Sequence, residues 1–338
     1  MKQTVIALAI AIVLMAFVLA WIPRGELMEI LATTSLPRFG VCVVLMGLIY
    51  LARSMKLDLA VPERRMGVSR LYPIVAIHAF LKNTLPFRLG ELTLIYFIQR
   101  RAGVSLVRAG MVLYVALASD LIALFILGTA ALFIAAHGSD HARFLSLALP
   151  CLAITIVGLA AYFMARAVLG RVAGIFRGRT TSRWPGKVVD ACDTLGAALD
   201  AYSPGKLAAF LGYSMATWSL RFIILTIMVP SWGFPLDLQS MTIATSIAAL
   251  LGALPVQGLA GFGTMEASWA IGFAAVDLDS TRALTASVLT HLFILSLMFI
   301  HFAIGLVLYR MQGEALRLTH TAPDNPAPGD TAPADPAS

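Results

Sequence analysis

The sequence predicts an all-α, polytopic integral membrane protein in which two opposed re-entrant hairpins form an inverted repeat. Three observations carry that prediction. The chain of 338 residues is 59% hydrophobic and only 13% charged, more apolar surface than a water-soluble chain of this size can bury. Its lysines and arginines gather in alternate loops, as orientation in a membrane demands. Two apolar stretches at corresponding places in the two halves are interrupted by similar sequences, Leu85-Pro86-Phe87-Arg88-Leu89-Gly90-Glu91 and Leu254-Pro255-Val256-Gln257-Gly258 through Gly261-Phe262-Gly263-Thr264-Met265-Glu266.

Apolar segments at about 4–22, 39–53, 109–136, 144–165, 207–230 and 283–309 are read as spanning helices, against the ~20 residues such a helix needs. The run from Val5 to Ile22 exceeds the roughly 7–15 residues of a signal-peptide core, which favours an uncleaved helix over cleavage after Ala20. The broken pieces, about 71–87 with 91–99 and 240–257 with 264–276, are each too short to cross alone. Pro86 and Pro255 each remove a backbone donor. Gly90, Gly258, Gly261 and Gly263 permit the turn and a close approach of backbone to whatever lies there. Each break is followed 14 residues after its glutamate by serine and then Arg-Ala, at Ser105 with Arg108-Ala109 and Ser280 with Arg282-Ala283.

Loop charge sets the topology. Arg53, Lys56, Arg64, Arg65 and Arg70 follow the second segment, and Arg100, Arg101 and Arg108 follow the first break. A long basic stretch runs from Arg166 to Lys206, and Arg310 and Arg317 close the last helix. The intervening loops hold few basic residues. Both termini are therefore expected in the cytoplasm, with the chain in a bacterial-type inner membrane. The first hairpin, about 71–99, enters and leaves on the basic side. The second, about 240–276, lies between Asp237 and Asp277 and enters from the other face. Two ordinary proline-kinked helices are the alternative.

Charges inside apolar segments are costly, roughly 2.5–3.5 kcal/mol each on insertion scales, so their presence asks for a reason. His78, Lys82, Arg88, Glu91, Asp120, Arg221 and Glu266 all fall there. His78 and Lys82, four apart, share a helix face. Arg88 and Glu91, three apart across the break, are close enough to pair, and the Arg88 guanidinium also suits a phosphate. Lys82 either extends that basic face or snorkels to the membrane surface. Asp120 asks for a cation within the bundle, Arg221 or Arg88. Glu91 and Glu266 open the second half-helix of each hairpin, where the helix dipole favours a carboxylate. Together with Gln257 these residues make the candidate substrate site: Arg88, Glu91, Lys82, His78, Gln257 and Glu266. His291 and His301 read as buried, hydrogen-bonded histidines.

The membrane domain covers 1–318. Within it, 166–206 is a cytoplasmic amphipathic stretch, where Val168, Leu169, Val172, Ile175 and Phe176 interleave with arginines, either for contact with lipid heads or to enforce topology. Residues 319–338 form a Pro/Ala-rich tail with no apolar period, predicted to be disordered. Three scattered cysteines give neither a disulfide framework nor a metal site. No nucleotide, dinucleotide, metal or nucleophile-elbow motif occurs. The net charge of +7 is spent on loops rather than on a nucleic-acid surface.

At Pro86-x-Arg88-x-Gly90-Glu91, Asp120, and Pro255-x-x-Gly258 through Gly261-x-Gly263-x-x-Glu266, the chain resembles the flippase-like membrane domain of lysylphosphatidylglycerol synthases in its stand-alone form. The resemblance covers roughly 5–310. It implies a polytopic inner-membrane protein that moves a lipid between leaflets or supports lipid handling there. One departure stands out: Ala116 and Leu117 occupy positions where the family often carries a Glu-Arg pair, which implies a rewired charge network.

These observations favour a lipid flippase or scramblase-like transporter, without cofactor or nucleotide hydrolysis, acting on an anionic phospholipid or lipid-linked molecule. The alternatives are a non-transporting partner of a lipid or glycan synthesis enzyme, a membrane-embedded lipid transferase, or a carrier of a water-soluble solute.

Overall fold

The computed structural model describes residues 35–61, 66–85, 89–136, 141–177, 183–200, 202–253 and 259–320. Among these the chain is helical without strands. In chain order the helices are α1 (Leu36–Ala60), α2 (Val68–Thr84), α3 (Glu91–Ala102), α4 (Leu106–Ala135), α5 (His141–Arg177) and α6 (Arg183–Leu199). They continue as α7 (Pro204–Met228), α8 (Leu238–Leu251), α9 (Thr264–Ala274) and α10 (Ser280–His320), with single 3-10 turns at Val229–Trp232 and Leu259–Gly261. Five helical stretches, in α1, α4, α5, α7 and α10, are long and apolar enough to cross a membrane. The first apolar segment, at about 4–22, and the tail, 321–338, lie outside the described residues.

Local chemistry sets most boundaries. Ser105 caps α4 and Ser203 caps α7, each side chain accepting the N–H three residues on, and Asp237 does the same for α8 through Ser240 at 2.8 Å. Gly103, left-handed at φ 66, ends α3. Pro73 inside α2 has no N–H to give the Ser69 carbonyl one turn back. Gln312 on α10 supplies that bond instead, at 2.8 Å. The expected sequence parallel after each break becomes a structural one with a one-residue correction. Asp279, not Ser280, caps α10, receiving the Arg282 N–H at 3.1 Å just as Ser105 receives that of Arg108. Ala109 and Ala283 are then both fully buried at the next position.

Two other boundaries differ from the sequence reading. Helix α1 runs to Ala60 rather than stopping near 53, so Arg53 and Lys56 belong to the helix and not to a loop. Helix α5 continues without a break from His141 through Arg177, so the first part of the basic 166–206 stretch prolongs a spanning helix.

The bundle is organised around α10. Helix α2 packs along it, with Phe80 stacked on Phe302 at 4.6 Å and Gly305 seated against Pro73 and Ala76. Helix α9 packs along it too, next to α8. Helices α1, α4 and α7 pack against one another, and α4 also meets α5 and α8. Large apolar residues remain exposed on the outside, among them Val44, Leu121, Ile154, Val157 and Val307. A water-soluble monomer rarely shows such a surface, and hydrocarbon accepts it.

Candidate functional site

Asp120 stands in the middle of α4, and its carboxylate is held from two other helices. Lys56 Nζ donates to Asp120 Oδ1 at 2.7 Å, to the Ser214 hydroxyl at 2.7 Å and to the Ala116 carbonyl at 2.9 Å, which uses all three ammonium N–H groups. Ser214 donates in turn to Asp120 Oδ1 at 2.7 Å, and the Trp218 indole N–H donates to the Asp120 carbonyl at 2.9 Å. Lys56 is only 3% exposed, a position an ammonium keeps only when its partners are this complete.

This corrects the sequence assignment of Asp120 to Arg221 or Arg88. The partner is Lys56, with Arg53 Nη2 behind it at 3.9 Å from Oδ2. Both cations reach the site because α1 outlasts its apolar run. Ala116, one of the two uncharged departures from the family pattern, contributes its carbonyl to the same ammonium. Arg221 makes no ion pair among the described residues. Its guanidinium lies over the Trp218 ring, 5.6 Å from the centroid.

The first break gathers a second cluster. Glu91, the first residue of α3, lies 2.7 Å from Lys82 Nζ and 3.7 Å from His78 Nε2, so the shared face of His78 and Lys82 is directed at one carboxylate. The Thr93 hydroxyl donates to the Gly90 carbonyl at 2.6 Å. The His78 Nδ1–H therefore donates to Thr93 Oγ1, 3.0 Å away, and Nε2 faces Glu91. Gly90 is required by contact: a Cβ there would enter the backbone of Leu81 and Lys82, so glycine lets α3 start directly against the end of α2. Pro86 and Arg88 lie outside the described residues, as do Pro255, Gln257 and Gly258 in the second break.

In the second break Gly261 and Gly263 both have φ 78, a conformation that glycine adopts without strain, and they turn the chain into α9. Glu266, in the first turn of α9, directs Oε1 to His291 Nδ1 on α10 at 2.7 Å. His301 is buried and hydrogen-bonded to the Leu297 carbonyl. Each break is thus followed by a glutamate with an imidazole beside it, Glu91 buried and Glu266 partly so.

A cavity of about 180 Å³ lies where the breaks come together. Lys82 and Asn83 reach it from the end of α2, Gly252 and Ala253 from the end of α8, and Met265 and Trp269 from α9. Arg53, Asp120, Trp218 and Arg221 complete its polar wall. A smaller space of about 50 Å³, sharing Arg53, Lys82, Leu117 and Asp120, extends it to Glu91 and His78. Helix α2 also touches the 3-10 turn that ends at Gly261. Glu266 is not part of the wall, since its carboxylate is directed to α10.

The electrostatics of this space are one-sided. Among the described residues, Asp120 pairs with Lys56 and more distantly with Arg53, Glu91 pairs with Lys82, and Arg221 has no ion pair, so four cations face two carboxylates. Arg53 Nε, the Trp269 indole N–H and the Thr245 hydroxyl, all from residues of the wall, are buried without a hydrogen-bond partner among the described residues. Unpaired donors of that kind cost about 1–3 kcal/mol each when nothing satisfies them. At ~30 Å³ per water, the larger cavity holds about six waters' worth of space, room for a headgroup fragment such as a phosphate and not for a whole phospholipid. Guanidiniums in a dry pocket suit phosphate or carboxylate oxygens.

Sequence reasoning missed Arg53, Lys56 and His291 as members of these clusters. Arg53 and Lys56, three apart and so on one helix face, were the available signal.

Comparison with curated proteins and with solved structures gives no match. The model of one protein family, described as the lysylphosphatidylglycerol synthase TM region, matches residues 4–301. That match takes in every charged cluster described above. With spanning-length helices, apolar exposed faces and a family match over most of its length, the chain belongs to the lysylphosphatidylglycerol synthase TM-region family of membrane proteins, related to lipid handling.

Proposed function

We propose that the protein carries an anionic phospholipid, or a lipid-linked molecule with an anionic head, between the leaflets of a bacterial-type inner membrane. It does so as a transporter and not as an enzyme, with no nucleotide hydrolysis and no bond of the lipid made or broken. The observation that supports this reading most is the cavity between the ends of α2 and α8 and the start of α9, where, among the described residues, four cations (Arg53, Lys56, Lys82 and Arg221) stand against two carboxylates (Asp120 and Glu91).

In this reading α2–α3 and α8–α9 are re-entrant hairpins entering from opposite faces, the first from the cytoplasm, where both termini lie. Inverted repeats of this kind place substrate near the midplane. The headgroup phosphate lies against Arg53 and Arg221. Lys82 exchanges between Glu91 and the phosphate as the head arrives, and Arg88, assigned from sequence, receives it from the cytoplasmic side. Glu91 and Glu266 hold the half-helices in place through their imidazole and lysine partners. The turns at Gly90 and at Gly261–Gly263 are where one hairpin shifts against the other.

The test is leaflet exchange of headgroup-labelled phosphatidylglycerol in proteoliposomes, comparing wild type with Arg53→Gln, Arg221→Gln and Arg88→Ala. Exchange by wild type, lost in variants that elute and melt as folded protein, is the expected result. Absence of exchange by wild type under any imposed ion gradient, across several anionic headgroups, would replace this reading with that of a non-transporting partner of a lipid-synthesis enzyme.

A further inference from the structure

The headgroup cavity does not account for a second hollow among the described residues. An apolar groove of about 520 Å³ lies between α4, α7 and α8. It is lined by Leu127, Ala130 and Ile134 of α4, Phe222 and Ile223 of α7, and Thr242 of α8. The polar cavity uses the same three helices, about one turn away on α4 (Asp120 and Leu124) and on α8 (Thr245 and Ala248), and on α7 at positions that interleave with the groove, Trp218 and Arg221 beside Ser219 and Phe222. Cavity and groove are consecutive stretches of one seam.

The two ends of that seam differ in charge. At the cavity end stand the guanidiniums of Arg53, which shares Asp120 with Lys56, and of Arg221, which has no ion pair among the described residues. At the far end of the groove stands Asp237, the cap of α8. The Ser240 backbone N–H, with its hydroxyl, holds the Asp237 carboxyl below the usual aspartate range, so this rim is negative at neutral pH. An anionic head is therefore attracted to one end and repelled from the other, while the wall between offers hydrocarbon. From Asp120 to Ile134, α4 rises about 21 Å at 1.5 Å per residue. One leaflet's acyl chains occupy about half of a ~30 Å hydrocarbon core. The seam has the length for one chain.

We propose that this groove is the acyl-chain site of the transported lipid: one chain lies between α4, α7 and α8 while the phosphate occupies the adjoining polar cavity. This rests on the lipid-carrier reading above and adds the position of the chain. It also separates the substrate from annular lipid, which has no reason to be selected by headgroup.

The experiment places a photo-crosslinking residue at Ile223, in the groove, or at Val157, on the outer face of α5. The protein is held in nanodiscs of phosphatidylcholine containing a minority of phosphatidylglycerol, and the adducts are identified by mass spectrometry. Adducts at Ile223 are expected to be several-fold enriched in phosphatidylglycerol over the nanodisc composition, with the label on the acyl chain. Adducts at Val157 follow the composition. Arg53→Gln with Arg221→Gln removes the enrichment at Ile223 but not the labelling. Adducts at Ile223 that follow bulk composition in the intact protein, as at Val157, overturn the inference. Enrichment at Ile223 in a protein with no leaflet exchange keeps the groove and refutes the carrier. Exchange without enrichment does the reverse. Filling the groove with Ala130→Phe gives an independent reading: enrichment at Ile223 falls toward bulk composition, and its persistence counts against the site.

Discussion

The ammonium of Lys56 and the carboxylate of Asp120, 64 residues apart in sequence, meet at 2.7 Å between α1 and α4, with Ser214 of α7 bonded to both. This contact fastens three helices at one point. Its strength lies in completeness, because each N–H of the ammonium has an acceptor.

Removing one half of that contact is expected to be costly. Lys56→Met leaves the partly buried Asp120 carboxylate with the Ser214 hydroxyl and, at 3.9 Å, Arg53, and the loss should be about 3 kcal/mol, the lower end for breaking a buried ion pair. Lys56→Met combined with Asp120→Leu should recover much of it. Thermal unfolding of the three variants in detergent tests the order single worse than double.

Arg221 should behave in the opposite sense. It lines the cavity, has no carboxylate partner among the described residues, and lies over Trp218. Arg221→Gln is expected to raise the melting temperature in detergent, by about 1 kcal/mol of stability, while lowering lipid exchange, a site whose function costs stability. Added phosphatidylglycerol should stabilise wild type and not the variant, since only binding to the folded state shifts the melt.

Gly90→Ala is expected to prevent the junction of α2 with α3, because the new methyl meets the backbone of Leu81 and Lys82. Yield of monodisperse protein should collapse. Gly40→Ala and Gly110→Ala, which meet nothing nearby, should leave yield and melting unchanged.

The bond between Glu266 and His291 should show coupling of about 1–3 kcal/mol in a double-mutant cycle built from Glu266→Gln and His291→Leu. Independent effects of the two substitutions would mean that α9 is held on α10 by packing alone.

Much of this arrangement was legible in the sequence because hydrocarbon allows few solutions. Apolar runs had to be helices, and the proline and glycine positions had to be breaks, which placed α2–α3 and α8–α9 within a few residues of their bounds. The spacing of His78 and Lys82 put both on one face, and the structure adds that this face meets Glu91, for which the sequence suggested Arg88. What sequence could not give was partnership across helices. Arg53 and Lys56 follow the apolar run of α1 as loop residues would, and only the approach of α4 and α7 makes burial of Lys56 tolerable. Likewise nothing local to Glu266 names His291, 25 residues on, as its partner.

Helix α10 receives α9 at His291 and α2 at Phe302 and Gly305. The two broken pairs therefore take their bearings from one rod, at stations about 11–14 residues apart. A residue inserted in α10 between those stations would turn one against the other by about 100°, at 3.6 residues per turn, while leaving every charge in the chain in place. Orientation at the cavity is in that sense a property of helix phase, carried by a segment that supplies little of the cavity's polar wall.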